Sequence, residues 1–148
     1  MTIKKRTRAN RKGFTMVELM AMLIIIGLLA TLVVRKVADQ IDKARVTTTK
    51  ANLKGLHGLV NQFKMDTGRF PTEEVGLMEL VEQPSDVENW QLGGYLETTE
   101  LPKDAWGQDF VYERFPPSGK PFVIKSYGAD KVEGGESYDA DLLSTDAF

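Results

Sequence analysis

No cysteine occurs among the 148 residues, so disulfides, thiol nucleophiles, iron–sulfur clusters and Cys-ligated zinc are excluded. His57 is the only histidine, and a multi-histidine metal centre is excluded with it. Alone on a helix, it reads as an ordinary surface or interface residue. A phosphate-binding glycine loop is missing: Gly93-Gly94 and Gly134-Gly135 lack the strand-to-helix context such loops need. Ser118, Ser126 and Ser137 have no matching base. The acidic pair Asp139 and Asp141 has no second carboxylate pair to share acid–base work with. The sequence is therefore expected to encode no enzyme.

Net charge is small overall and uneven locally. The net charge is only −2, yet residues 1–13 carry six bases (Lys4, Lys5, Arg6, Arg8, Arg11, Lys12) and no acid. The remaining 135 residues carry 13 bases and 21 acids. A short basic head on an acidic body does not spread positive charge over a folded face, so nucleic acid is not an expected partner.

After the head, Phe14 to Val34 (FTMVELMAMLIIIGLLATLVV) holds one charge, Glu18, in 21 residues. As a helix it spans about 31 Å, enough to cross a bilayer core. Every face of Leu19–Ala30 is apolar, and the rest of the chain is too small to bury such a segment. The basic flank sets the N-terminus in the cytoplasm and the C-terminal body across the membrane. Arg35, Lys36, Lys43 and Arg45 on the far side weaken this bias without reversing it. A cleaved secretory signal is disfavoured, because the run exceeds an h-region of about 7–15 residues. The positions one and three residues before a cut would also be Ala38 and Lys36, or Ala30 and Leu28, which are not small-x-small.

Glu18 lies one turn into this helix. An ionised carboxylate in hydrocarbon costs on the order of a few kcal/mol and usually has a partner. No base lies within reach downstream on the same helix. Loss of residues 1–13 would give Phe14 a free α-amino group, which ordinarily titrates near a pH of about 8 and is mostly cationic at neutrality. A neighbouring subunit could bring that amine to Glu18.

Gly13-Phe14-Thr15-Met16-Val17-Glu18, between a basic leader and an apolar run, resembles the processing site of type IV prepilins and type II secretion pseudopilins. The resemblance implies that a membrane peptidase cuts after Gly13 and methylates Phe14, leaving Glu18 as the fifth mature residue. Gly68-Arg69-Phe70-Pro71-Thr72-Glu73-Glu74-Val75-Gly76-Leu77 is similar to a segment of the major pseudopilin, protein G of the general secretion pathway. So are Asn89-Trp90, Gly93-Gly94-Tyr95-Leu96, Leu101-Pro102-Lys103-Asp104-Ala105-Trp106-Gly107, Gly128-Ala129-Asp130 and Asp139-Ala140-Asp141. The similarity covers nearly the whole chain, in the family's order. One departure is Arg35, where the family often has proline. Gly55 and Gly58 also make that stretch unusually glycine-rich.

The pattern beyond Lys36 is amphipathic. Val37, Ile41, Ala44, Thr48 and Ala51, then Leu53, Leu56, Val60 and Phe63, recur at helical spacing. Asp39 and Lys43 form an i,i+4 pair worth a few tenths of a kcal/mol at most. One helix is predicted from about Thr15 to Met65, stopping near Gly68. Gly55 and Gly58 each cost about 1 kcal/mol relative to alanine; they mark either close approach to a sheet or a weak stretch. Thr72 is suited to cap a short helix through Val81 or Glu82 with Leu77, Leu80 and Val81 inward. Trp90, Tyr95 and Trp106 read as loop residues packed on a small core rather than as a sugar platform. Asp109–Phe115 and Pro121–Tyr127 read as a hairpin joined by Pro116-Pro117-Ser118-Gly119-Lys120. The fold class is α+β, type IV pilin-like: a long N-terminal helix, membrane-spanning in its first half, packed on a small antiparallel β-sheet.

Composition alone favours a solvated acidic tail for Gly128–Asp141, since its spacing matches no EF-hand loop. The resemblance reverses this. It implies a calcium loop at 127–141, with Asp130, Asp139, Asp141 and the Tyr127 carbonyl as ligands. A cation tie also suits a chain with no cysteine to staple its C-terminal segment.

The expected organisation is a cleaved leader at 1–13, a transmembrane and filament-core helix at 14–35, and a periplasmic domain at 36–148. The resemblance implies the major subunit of the type II secretion pseudopilus, anchored in the bacterial inner membrane by a single pass. Its implied partners are further copies of itself, minor pseudopilins, the prepilin peptidase, and the inner-membrane assembly platform with its ATPase. A type IV pilin for adhesion, motility or DNA uptake is the near alternative. A membrane-anchored periplasmic binding module is the distant one.

Overall fold

A computed structural model describes residues 13–146. Helix α1 runs from Met16 to Thr67, 52 residues, two residues past the expected end. Thr15 sits just before its first turn, and Gly68 ends it. The Gly68 N–H donates to the Lys64 carbonyl at 2.9 Å, with φ +81°, the left-handed closure that glycine adopts at no steric cost. Arg35 is helical, so α1 continues through the position where the family often has proline.

The chain divides into two units, at 39/40. In the first, the described apolar residues are exposed: Phe14 75%, Met16 84%, Ile24 70%, Leu28 68%. An 18-residue window of this helix is apolar enough to cross a membrane and is 0% buried within the chain.

The second unit has the core. Leu53, Leu56, Val60 and Phe63, at three- and four-residue spacing on one face of α1, are all buried. Burial of each such side chain contributes about 2 kcal/mol. They meet Leu77, Leu80, Tyr95, Phe122 and Ile124. Strands β1 (Val111–Arg114), β2 (Phe122–Ser126) and β3 (Leu142–Leu143) form an antiparallel sheet in the order β1-β2-β3. The hairpin matches the sequence reading with shorter strands. β3 lies beyond that reading, because two residues in an acidic segment give no periodic signal. Phe122 is the hub of the core, with the rings of His57, Phe70 and Tyr112 at 4.6, 5.2 and 5.9 Å between centroids. Burial pushes the Tyr112 hydroxyl up to about 12, and it donates to the Pro71 carbonyl at 3.0 Å.

The short helix differs from expectation. It is a 3-10 helix at Gly76–Leu80, with no side-chain cap. The Thr72 hydroxyl donates to Glu79 Oε1 at 2.5 Å, and the Thr72 N–H to the same oxygen at 3.0 Å. Arg69 Nη1 meets Glu79 Oε2 at 2.6 Å. Glu79 is 2% exposed, and a carboxylate so deep needs these donors. The Thr72 oxygen in turn accepts the Val75 N–H at 3.4 Å, capping the turn ahead of the 3-10 helix. Leu77 and Leu80 point inward as expected.

Other family-like segments acquire physical roles. Buried Asp104 accepts from the N–H groups of Trp106 and Gln108 at 3.0 and 2.8 Å and from the Ser126 hydroxyl at 2.7 Å. Asn52 donates to the Lys103 carbonyl at 3.1 Å, and the Ala105 N–H donates to buried Thr49 at 3.1 Å. The 101–107 loop is thereby fastened to α1 and to β2. Trp90 donates to the Glu79 carbonyl at 3.0 Å and packs edge-on against Tyr95 at 5.9 Å, the packing role read for both. Gly55 and Gly58 are both exposed, and a Cβ at either would meet nothing within 4 Å. Neither glycine approaches the sheet.

Candidate functional site

Two regions hold the residues singled out by sequence. Gly13 and Phe14 lie in non-helical chain just before α1. Glu18 stands on its first turn and has partners within its own chain. Its Oε2 accepts the Thr15 N–H at 2.8 Å and the Thr15 hydroxyl at 3.1 Å, while the Thr15 oxygen accepts the Glu18 N–H at 3.2 Å. This reciprocal pair is a capping box, which satisfies two helix-end donors at once. Its signal in the sequence is Thr15-Met16-Val17-Glu18, and a search for bases alone passes over Thr15. Both donors are neutral, so the glutamate still lacks an opposite charge within the box.

The second region is the loop after β2. Gly128 at φ +67° lets the chain turn back on itself. A Cβ there would sit 2.9 Å from the carbonyls of Tyr138 and Ala140, and the Ala129 N–H donates to the Tyr138 carbonyl at 3.0 Å. Lys131 and Ser137 also take positive φ, 65° and 60°, a cost L-residues accept only where the fold demands it. Lys125 holds the loop's base: its ammonium lies 2.6 Å from Glu113 and 3.9 Å from Glu133. The hydrogen bond to Glu113 raises its pKa above the usual lysine range.

The anticipated ligands are placed unevenly. Asp130 Oδ1 accepts the Val132 N–H at 3.1 Å. Asp139 is exposed. Asp141 Oδ2 accepts the Gly134 N–H at 3.1 Å, while its Oδ1 is buried with no hydrogen-bond partner. Tyr127 is half-buried between β2 and the turn. Among the described residues no three acidic or histidine side chains gather as a metal cluster. An orphaned buried carboxylate oxygen fits a hard cation that would also draw on main-chain oxygens.

His57 faces the end of β3. Its Nδ1 lies 3.2 Å from the Ser144 hydroxyl, which accepts the Ile124 N–H at 3.1 Å. Burial lowers the pKa of its ring. It borders a cavity of about 270 Å³ with Asn61, Lys120, Pro121, Phe122 and Thr145. This arrangement ties α1 to the C-terminal strand.

A long exposed apolar helix, headed by a capped glutamate and followed by a small α+β body, defines the pilin-like class of membrane-anchored filament subunits. Comparison with known proteins narrows it. Residues 36–145 match the family described as type II secretion system (T2SS), protein G, and residues 8–34 match the prokaryotic N-terminal methylation motif. Type II secretion system core protein G of Pseudomonas aeruginosa is 37% identical over 142 residues, covering 94% of this chain and 98% of the relative. The core protein G of Vibrio cholerae is 35% identical, covering 90% of each. The crystal structure of the major pseudopilin from the type 2 secretion system of enterohaemorrhagic Escherichia coli superposes with a TM-score of 0.59 at 28% identity, covering 72% of this chain and 90% of that one. The chain belongs to the type II secretion system protein G family, and its role is that of a major pseudopilus subunit.

Proposed function

We propose that this pseudopilin enters the inner membrane with residues 1–13 in the cytoplasm and its body in the periplasm, where it polymerises. The prepilin peptidase cuts between Gly13 and Phe14 and methylates the new amine. Minor pseudopilins, the inner-membrane platform and its ATPase assemble the filament, which drives folded proteins through the outer-membrane secretin. The chain is the moving part and catalyses no reaction itself.

One observation carries this reading: an exposed apolar run of helix whose single charge, Glu18, has only neutral donors among the described residues. In the bilayer, lipid covers the apolar faces; in a filament, neighbouring copies of the helix do. The Phe14 amine of an adjacent copy completes the Glu18 carboxylate and fixes the register. Mass spectrometry of the mature N-terminus tests the processing step, with a mass beginning at methylated Phe14 expected. A chain that keeps residues 1–13 in filament-forming cells overturns it.

The acidic loop is proposed to hold Ca²⁺. Asp141, Asp130 and Asp139 supply carboxylate oxygens, and the Tyr127 carbonyl supplies a main-chain one. A bound divalent cation would supply charge compensation for buried Asp141 Oδ1. Gly128 keeps the loop folded against its own carbonyls, and Lys125 steadies it from the sheet through Glu133.

A further inference from the structure

The outward face of α1 opposite the core has no explained role. Lys43, Lys50 and Lys54 recur at seven and four residues, so they share one side of the helix. All three are exposed, as are Ala51, Gly55 and Gly58 beside them. Residues 43–54 contain four bases and no acid. Two glycines in a helix interior lower its stability, and here no contact within the chain requires them. They leave a bare strip of helix backbone flanked by ammonium groups.

The rest of the domain carries the opposite charge. Residues 55–148 hold seven bases and eighteen acids, a net of −11. Residues 73–88 alone hold six acids and no base. Glu73, Glu74, Glu82 and Glu88 are exposed there, and Glu74 and Glu82 line a cavity of about 360 Å³. Its nearby base, Arg69, is already committed to Glu79 and Asp86. Bodies this acidic repel one another when stacked unless the contact pairs opposite signs.

We propose that the Lys43–Lys50–Lys54 face of α1, bared at Gly55 and Gly58, docks the acidic 73–88 surface of a second copy of this chain. The proposal rests on the filament reading and specifies which surfaces of the body meet. The lysines steer and orient the contact, and the glycines let the neighbour approach the helix axis. A bulky side chain at position 58 would hold the two copies apart.

The test is filament assembly by the full chain in cells with its secretion machinery. Lys50→Glu with Lys54→Glu is expected to reduce sheared filaments by about tenfold or more, as like charges then face each other. Adding Glu74→Lys and Glu82→Lys restores them. Gly58→Gln is expected to fold with a melting temperature equal to or above that of the wild type and yet to assemble poorly, which a purely structural glycine would not do. The absence of native cysteine allows a direct check: Lys50→Cys combined with Glu82→Cys is expected to give an oxidised ladder of oligomers. If wild-type chain polymerises while the charge reversal does so equally and no ladder forms, this pairing is wrong and the filament reading survives. If the reversal instead weakens only binding to anionic vesicles, the face belongs to lipid and the pairing is again wrong. If wild-type chain never polymerises, both readings fall together.

Discussion

Thr15 and Glu18 satisfy each other at the mouth of α1, the carboxylate taking two hydrogen bonds from Thr15 and the Thr15 hydroxyl oxygen accepting the Glu18 N–H. The box holds the glutamate back toward the chain start. It also spends only one carboxylate oxygen. The other is left to the incoming charge, so capping and subunit pairing can coexist.

Loss of either half should separate these roles. Thr15→Ala removes the cap, worth about 1 kcal/mol at a helix start, and is expected to speed amide exchange at Val17 and Glu18 in detergent micelles. Thr15→Ser should restore protection. Glu18→Ala is expected to insert and be cleaved normally but to yield no filaments and no secretion. Normal assembly in that variant would remove the charge-pair argument.

Glu79 is the most committed carboxylate of the body, buried and bonded to Arg69 and Thr72. Glu79→Ala leaves Arg69 with Asp86 and the Phe70 carbonyl, and the Thr72 N–H without an acceptor. Removing one partner of such a pair costs about 3–5 kcal/mol, reduced here because Arg69 is 28% exposed. Thermal melts of the full chain in detergent should show a fall of several degrees. A shift under one degree would show that water replaces these bonds without loss.

Much of this was legible in the residues. The apolar run, the lone Glu18 and the Leu53–Phe63 periodicity are strong, local signals, and they fixed α1 and its two environments. The hairpin followed from β-branched and aromatic runs around Pro116-Pro117. The capping box was equally local and needed only Thr15 to be read as a donor. What lay beyond reach depends on contacts distant in sequence. Thr72 and Arg69 meet Glu79 across seven and ten residues of sequence, and the Thr72 signal does not announce the 3-10 geometry of Gly76–Leu80. Ser144 joined the sheet through Ile124, which a two-residue strand does not announce. The outward direction of Gly55 and Gly58 was fixed only once the core side of α1 was known.

His57 gives a pH signature of definite sign. Burial lowers its folded pKa below the ordinary value of 6.5, so between the two values the unfolded chain binds more protons. Stability then falls as pH drops through 6.5 toward the folded value, and the loss levels off below it. Ser144 and Phe122 are among the groups facing the ring, with Lys120 across the neighbouring cavity. His57→Gln is expected to flatten the melting-temperature profile between pH 7 and 5. An unchanged slope would assign that pH dependence to carboxylates.

Asp86 gives a second signature, at the acid end of the range. The Arg69 hydrogen bonds hold its carboxyl below the usual carboxylate range. Its contribution is complete above the unfolded value of about 4 and is lost as pH falls through the lower folded value. Asp86→Asn should therefore change stability at pH 7 and leave it nearly unchanged well below the folded value. The pair is exposed on the Asp86 side, at 62%, so the effect should shrink in high salt.

Asp141 provides the sharpest test of the loop. One of its oxygens is bonded to Gly134 and the other is buried without a partner among the described residues, a costly arrangement that the proposed cation would relieve. A ligand that binds only the folded chain stabilises by about 2.7 kcal/mol at a hundredfold excess over its Kd. Wild-type chain is thus expected to melt several degrees higher in Ca²⁺ than in chelator. Asp130→Ala and Asp141→Ala should each abolish most of that difference while changing the chelator melt little. Equal destabilisation in both conditions would mean that these carboxylates serve the loop through hydrogen bonds alone. Asp139→Ala is expected to reduce the difference as well, since Asp139, exposed like Asp130, is the third carboxylate proposed for the cation. Without the cation, the buried Asp141 oxygen is best relieved by opening the loop, so chelator should also speed amide exchange across 129–138 before it affects β2.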